Sequence, residues 1–156
     1  MNKRIIVRNG RSPFQFVLTG VCCLSGFVSL VVPAPGTSNV VAKVFGDATP
    51  AFYVALLFSS VIVLVGMLLP RGTSDRFCHA LQVERVGLWP MAGATLAYGA
   101  AILAVSGMTG LVGAALTGGI GVACIVRIRI ITTDLKKVDE LLALDTTREP
   151  APEGGE

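Results

Sequence analysis

The side chains able to do chemistry in this 156-residue chain are few and scattered. The single histidine, His79, stands beside Cys78. One imidazole and one thiol cannot complete the four-ligand shell of a structural zinc site. A Cys–His dyad forms between residues that meet across a fold, so adjacency in sequence is poor evidence for one. Neither an HExxH zinc helix nor a Walker phosphate loop is present. Gly118-Gly119-Ile120-Gly121 lacks the strand and the spacing of a dinucleotide fingerprint, and it lies in an apolar run where close helix packing accounts for it better. Cys22, Cys23 and Cys124 fall inside apolar runs and Cys78 in a polar connection, so no disulfide is expected. Nothing marks Cys78 for acylation over an ordinary free thiol. The residue types therefore predict no catalytic residue, no cofactor-binding residue and no metal ligand. The chain is not expected to be an enzyme.

The elements that carry these residues are set by hydropathy. Hydrophobic residues make up 53% of the chain and charged residues 15%, where a soluble domain has about a quarter charged. The mean hydropathy of +0.71 excludes a disordered chain and argues against a water-covered globule. Four runs without a charged residue, 14–32, 51–69, 86–106 and 111–126, approach the roughly 20 apolar residues that a membrane-crossing helix requires. The first two are rich in Val, Leu and Phe. The last two are largely Ala and Gly and depend more on neighbouring helices and flanking charges. Gly107 and Gly110 bracket Met108 and Thr109 between them, which suits a tight turn and a helical hairpin. The expected fold is all-α: a four-helix transmembrane bundle over 14–127 with a short cytoplasmic amphipathic helix.

Charge placement orients this layout. Lys3, Arg4, Arg8 and Arg11 precede the first run in a basic segment 1–13. The first connection holds Lys43 and Asp47, and the second holds Arg71, Arg76 and Arg85 against Asp75 and Glu84. The fourth run ends in Arg127 and Arg129. Basic residues near span ends stay cytoplasmic, which places both termini and the 70–85 connection on the cytoplasmic side of a cytoplasmic membrane. The first run exceeds the usual h-region and no small-residue cleavage site follows it, so it reads as a retained signal anchor. Phe14, Phe16, Phe52, Tyr53 and Trp89 stand near run starts, at headgroup level. Tyr98 lies deep in the third run, where Thr95 or a backbone carbonyl would satisfy its hydroxyl.

No Asp, Glu, Lys, Arg or His occurs within the four runs, which counts against a proton-coupled pump. Pro90 is read near the start of the third helix, where it does little harm. Net charge is +3, and because the basic residues sit at span boundaries no nucleic-acid partner is expected. Small residues recur at four-residue spacing as Gly93, Ala97 and Ala101, and again as Gly110, Ala114 and Gly118. Such positions let helix backbones approach, within one bundle or between copies in a homo-oligomer. Beyond the fourth run, Ile128, Ile131, Leu135, Val138 and Leu142 form a short heptad stripe in an amphipathic helix over 128–145. It pairs with a copy of itself, lies on headgroups, or covers the 71–85 connection. The acidic, proline-containing tail 146–156 is expected to be disordered.

The run Leu81-Gln82-Val83-Glu84-Arg85-Val86-Gly87-Leu88, then Gly93-Ala94 and Ala97-Tyr98-Gly99, then the hairpin ending Ala123-Cys124-Ile125-Val126-Arg127, resembles small four-span membrane proteins of actinobacterial bacteriophages. The resemblance covers about the second half of the chain and transfers no catalytic residue. It implies a holin-like protein that gathers in the cytoplasmic membrane and opens it, a protein without assigned role, or an exclusion factor that defends the host. The expected function is thus a small non-enzymatic integral membrane protein, holin-like and self-associating. The alternative is a membrane-anchored interaction protein, whose protein partner meets the cytoplasmic helix and loop. A small-solute channel lined by Ser and Thr ranks third.

Reporter fusions check the orientation: reporters at either terminus or within 71–76 should give the cytoplasmic signal, and one at Met108–Thr109 the external signal.

Overall fold

Uncharged runs of this length can satisfy every backbone N–H and C=O internally only as helix. The structure, a computed structural model, describes residues 13–32, 37–69 and 74–146, and these are helical with no strand among them. Five α-helices follow in chain order: α1 (Pro13–Val31), α2 (Thr37–Phe45), α3 (Thr49–Leu68), α4 (Ser74–Ser106) and α5 (Leu111–Thr146). Short 3-10 turns at Gly46–Ala48 and Gly107–Gly110 join α2 to α3 and α4 to α5. The helical runs Val40–Leu68 and Arg76–Val138 are long and apolar enough to cross a membrane, and Gln15–Val31 is a shorter apolar helix. The protein is all-α.

Both turns rest on glycine. Gly46 (φ +53°) and Gly107 (φ +56°) adopt left-handed backbone, which a side chain with a Cβ resists. Past Gly107 the chain reverses and α5 packs back along α4: Gly110 lies against Ile102, Gly99 against Ala114 and Gly121 against Thr95. On the other face of α4, Gly87 meets Val63 and Gly66 meets Glu84, so α3 also runs antiparallel to α4. The Gly26–Leu57 contact joins α1 to α3. The shared apolar core includes Leu56, Val63, Met67, Leu88, Met91 and Ile131. One end is closed by aromatic rings: Phe52 stacks on Phe45 at 5.2 Å between centroids and sits 6.2 Å from Tyr98.

Three features differ from the sequence expectations. The 70–85 connection is helical from Ser74, because its polar residues continue the α4 register on one side while Phe77, Ala80 and Leu81 turn inward. Pro90 consequently stands inside a 33-residue helix and not near its start. It has no N–H to donate to the Val86 carbonyl, and its exposed position keeps the ring off the neighbouring helices. The first connection holds the separate helix α2, with Val41 fully buried. The amphipathic stretch beyond residue 127 continues α5 without a break, as its position directly after the fourth run leads one to expect. The basic segment 1–12 and the tail 147–156 lie outside the described residues, as does the Leu142 side chain.

The α3–α4 crossing is the tightest contact between helices. A Cβ at Gly66 would stand 2.6 Å from the Glu84 backbone nitrogen, and one at Gly87 would stand 2.8 Å from that of Val63. Backbone cannot swing aside as a side chain can. Gly66→Ala should therefore lower stability by about 1–3 kcal/mol, the usual cost of overpacking. Gly118→Ala, with open space at its Cβ, should be neutral or gain up to about 1 kcal/mol from helix propensity. Thermal unfolding of both variants in the same detergent provides the comparison.

Candidate functional site

The site forms where the uncharged arms of the hairpin end. Leaving the Gly107–Gly110 turn, the first charges are Arg85 and Glu84 on the α4 arm and Arg127 on the α5 arm. Antiparallel packing brings two of them together. Arg127 Nε donates to Glu84 Oε1 at 2.9 Å. From α1, Gln15 Nε2 donates to the same oxygen at 3.1 Å. Gly66 of α3 supplies no donor but lets the Glu84 backbone approach. Glu84 is thus the residue at which α1, α3 and α5 all reach α4.

Burial sets the energetics. Glu84 is 0% exposed, while the Arg127 side chain keeps 19% of its surface. Among the buried described residues Glu84 is the one with a charged side chain; the others that are polar, Thr19, Ser59, Ser60 and Thr95, are hydroxyl residues. Removing a carboxylate from water costs several kcal/mol, which is offset only when charge-assisted donors close on it. Arg127 brings a charged donor from α5 and Gln15 a neutral one from α1. The arrangement is a clasp between helices. It offers no nucleophile beside a base and no solvent-facing acid.

The buried serine and threonine hydroxyls are engaged locally. Thr19 Oγ1 donates to the Gln15 carbonyl at 2.9 Å, Ser60 Oγ to that of Leu56 at 2.7 Å, and Thr95 Oγ1 to that of Met91 at 2.9 Å. Each bond stays within its own helix, so these residues do not form a row of donors along a pathway. Beside the clasp, between α1, α4 and α5, lies a cavity of about 180 Å³. Leu18, Leu88, Met91, Ala123 and Cys124 make its apolar wall; Gln15, Thr19 and Arg127 make its polar side. Among the described residues no group of three or more His, Cys, Asp or Glu comes together to hold a metal ion.

Comparison of the chain with protein-family models, curated proteins and solved structures finds no match. The site is therefore interpreted from its own geometry.

The small residues singled out by spacing divide into two sets. Ala101 and Ala114 are buried, Ala97 is half-buried, and Gly110 presses on Ile102 and Ser106. Gly93 and Gly118 have nothing within 4 Å of where a Cβ would stand, and neither does Gly119. Of the heptad stripe, Ile131 and Val138 are buried, and Leu135 packs on the cluster that contains Leu81 and Met67. The stripe thus faces the first turns of α4.

Sequence reasoning missed the clasp by counting Glu84 as a connection charge and Arg127 as a flanking charge. The available signal was their position as opposite charges at the open ends of two uncharged arms. Gly66 and Gly87 were missed because neither belongs to a four-residue small-side-chain repeat.

A double-mutant cycle tests the clasp. Glu84→Gln or Arg127→Met alone should each destabilise by about 3–5 kcal/mol, since either removes one member of an ion pair whose carboxylate is fully buried. The double variant should recover much of that loss. Additive losses in detergent unfolding would show that the two side chains do not act as a pair.

Proposed function

We propose that this chain is a non-enzymatic integral membrane protein, a four-span bundle of α1, α3, α4 and α5 in the cytoplasmic membrane with both termini on the cytoplasmic side. Its copies self-associate there and permeabilise the membrane in a holin-like manner. The membrane reading is supported by where the apolar surface points. Only 39% and 22% of the most apolar windows of the two long runs are buried within the molecule. Val17, Leu24, Phe58, Val112 and Leu116 face outward. A soluble protein rarely exposes apolar surface on that scale, whereas a spanning helix presents it to lipid.

Outward glycine carries the self-association reading. Gly93, Gly118 and Gly119 each sacrifice roughly 1 kcal/mol of helix propensity relative to alanine, yet no neighbour within 4 Å requires their small size. A second copy would use the close backbone approach they allow. The resemblance to small four-span phage proteins supports the same reading. Docking of a partner through the heptad stripe receives less support, because Ile131 and Val138 are already buried against their own chain.

Induced expression in a bacterial host, followed by membrane potential and entry of large and small dyes, provides the test. Wild type should depolarise the membrane abruptly and admit both dyes. Gly118→Leu should delay onset by about twofold or more through disturbed helix contact, at equal amounts of inserted protein. Stable insertion with an intact potential would overturn the permeabilising function, and an unchanged onset in the variant would remove Gly118 from the assembling surface.

A further inference from the structure

The cavity beside the clasp has two chemically distinct sides and is unused by the function proposed above. Its volume of about 180 Å³ exceeds the roughly 150 Å³ of an engineered apolar cavity known to take up benzene. Leu18, Leu88, Met91 and Cys124 form a wall suited to a hydrocarbon chain. At the polar side Arg127 lines the space while only its Nε is engaged by Glu84. Among the described residues the hydrogen bond given for Arg127 is the one from Nε, and the guanidinium carries two terminal nitrogens besides it. Those nitrogens keep N–H donors on a planar fork whose geometry matches phosphate oxygens. Arg85 and Arg129 add positive charge at the same ends of the hairpin arms. Under the proposed membrane-spanning arrangement the cavity lies between helices within a bilayer, so the available amphiphile is lipid.

We propose that this cavity is a binding site for one anionic phospholipid, with part of an acyl chain between α1, α4 and α5 and the phosphate on the outer guanidinium edge of Arg127. Basic pockets between spanning helices on the cytoplasmic side recognise such headgroups. The inference rests on the membrane-spanning reading. A free phosphate would share the headgroup chemistry but would leave the apolar wall unused. Ala123 lines the cavity at an exposed edge and makes no part of the clasp, so enlarging it obstructs the space without removing either member of the ion pair.

The test uses the full chain purified from bacterial membranes in mild detergent and examined by native mass spectrometry. Phosphatidylglycerol, phosphatidylcholine with the same chains, and inorganic phosphate are titrated back separately. Wild type should hold one phosphatidylglycerol at least about tenfold more tightly than phosphatidylcholine, with no comparable effect of phosphate. Ala123→Leu should lose that preference while its thermal midpoint stays level or rises. The paired variant Glu84→Gln with Arg127→Gln should keep chain binding but no longer distinguish the two lipids. Equal binding of both lipids by wild type, full retention by Ala123→Leu, or an equal response to phosphate would each overturn the site. Release of the chain from membranes by alkaline carbonate would overturn the spanning reading and the lipid site together. A chain that resists carbonate yet shows no lipid preference would overturn the lipid site alone.

Discussion

A carboxylate with no exposed surface is the constraint on which the arrangement of helices depends. Glu84 accepts from Arg127 of α5 and from Gln15 of α1, while Gly66 of α3 admits its backbone. Apolar contacts tolerate small slides of one helix along another, since a displaced Leu or Val finds another apolar neighbour. A buried charge does not share that tolerance. A one-residue slip of α5 would move Arg127 about 1.5 Å along the axis and turn it by about 100° around it, leaving the carboxylate short of its counter-charge. The pair therefore fixes register where hydrophobic packing alone is permissive.

Close backbone approach is the second condition, and it explains how Glu84 can be fully buried. Gly66 and Gly87 bring α3 onto α4 with no side chain between the backbones at those positions. Gly99 and Gly121 do the same for α5. Larger residues would push the helices apart and admit solvent beside Glu84. Glycine at these sites weakens each helix taken alone but strengthens the contact between helices. Helix stability here comes from neighbours more than from propensity, consistent with the Ala- and Gly-rich composition of α4 and α5.

The all-α class was legible because four uncharged runs admit no other way to satisfy their backbone. The reversal at Gly107–Gly110 was legible from glycine spacing, and the structure places a left-handed residue there. The helical character of 74–85 was not. Charged residues at that point suggested a boundary, although helices routinely continue past the last apolar residue when one face remains buried. The clasp was hidden for a related reason. Charge counting assigns each ionised residue to water, and a pairing across 43 positions emerges only when two arms are laid side by side in register. The division of glycines into inward and outward sets was equally inaccessible, because a four-residue repeat records spacing and not which neighbour it meets.

These two constraints together bear on how a permeabilising assembly could be built. Separating α4 from α5 would expose Glu84 and Arg127 singly to a medium of low dielectric constant, where each is far costlier than the pair. An opening made by unfastening the hairpin is thus opposed by the cost of breaking the buried pair. Assembly between intact bundles meets no such penalty, since Gly93 and Gly119 are exposed and the space where a Cβ of Gly118 would stand is open. The outer surface available to line an opening is apolar, and the 86–126 hairpin carries no charge. A narrow pore with such walls would exclude water and ions by dewetting. Under the proposed function, conduction consequently requires a wide lesion at the borders of many gathered copies, and not a selective filter through one. Abrupt loss of potential together with passage of large dyes is the physical signature of that geometry.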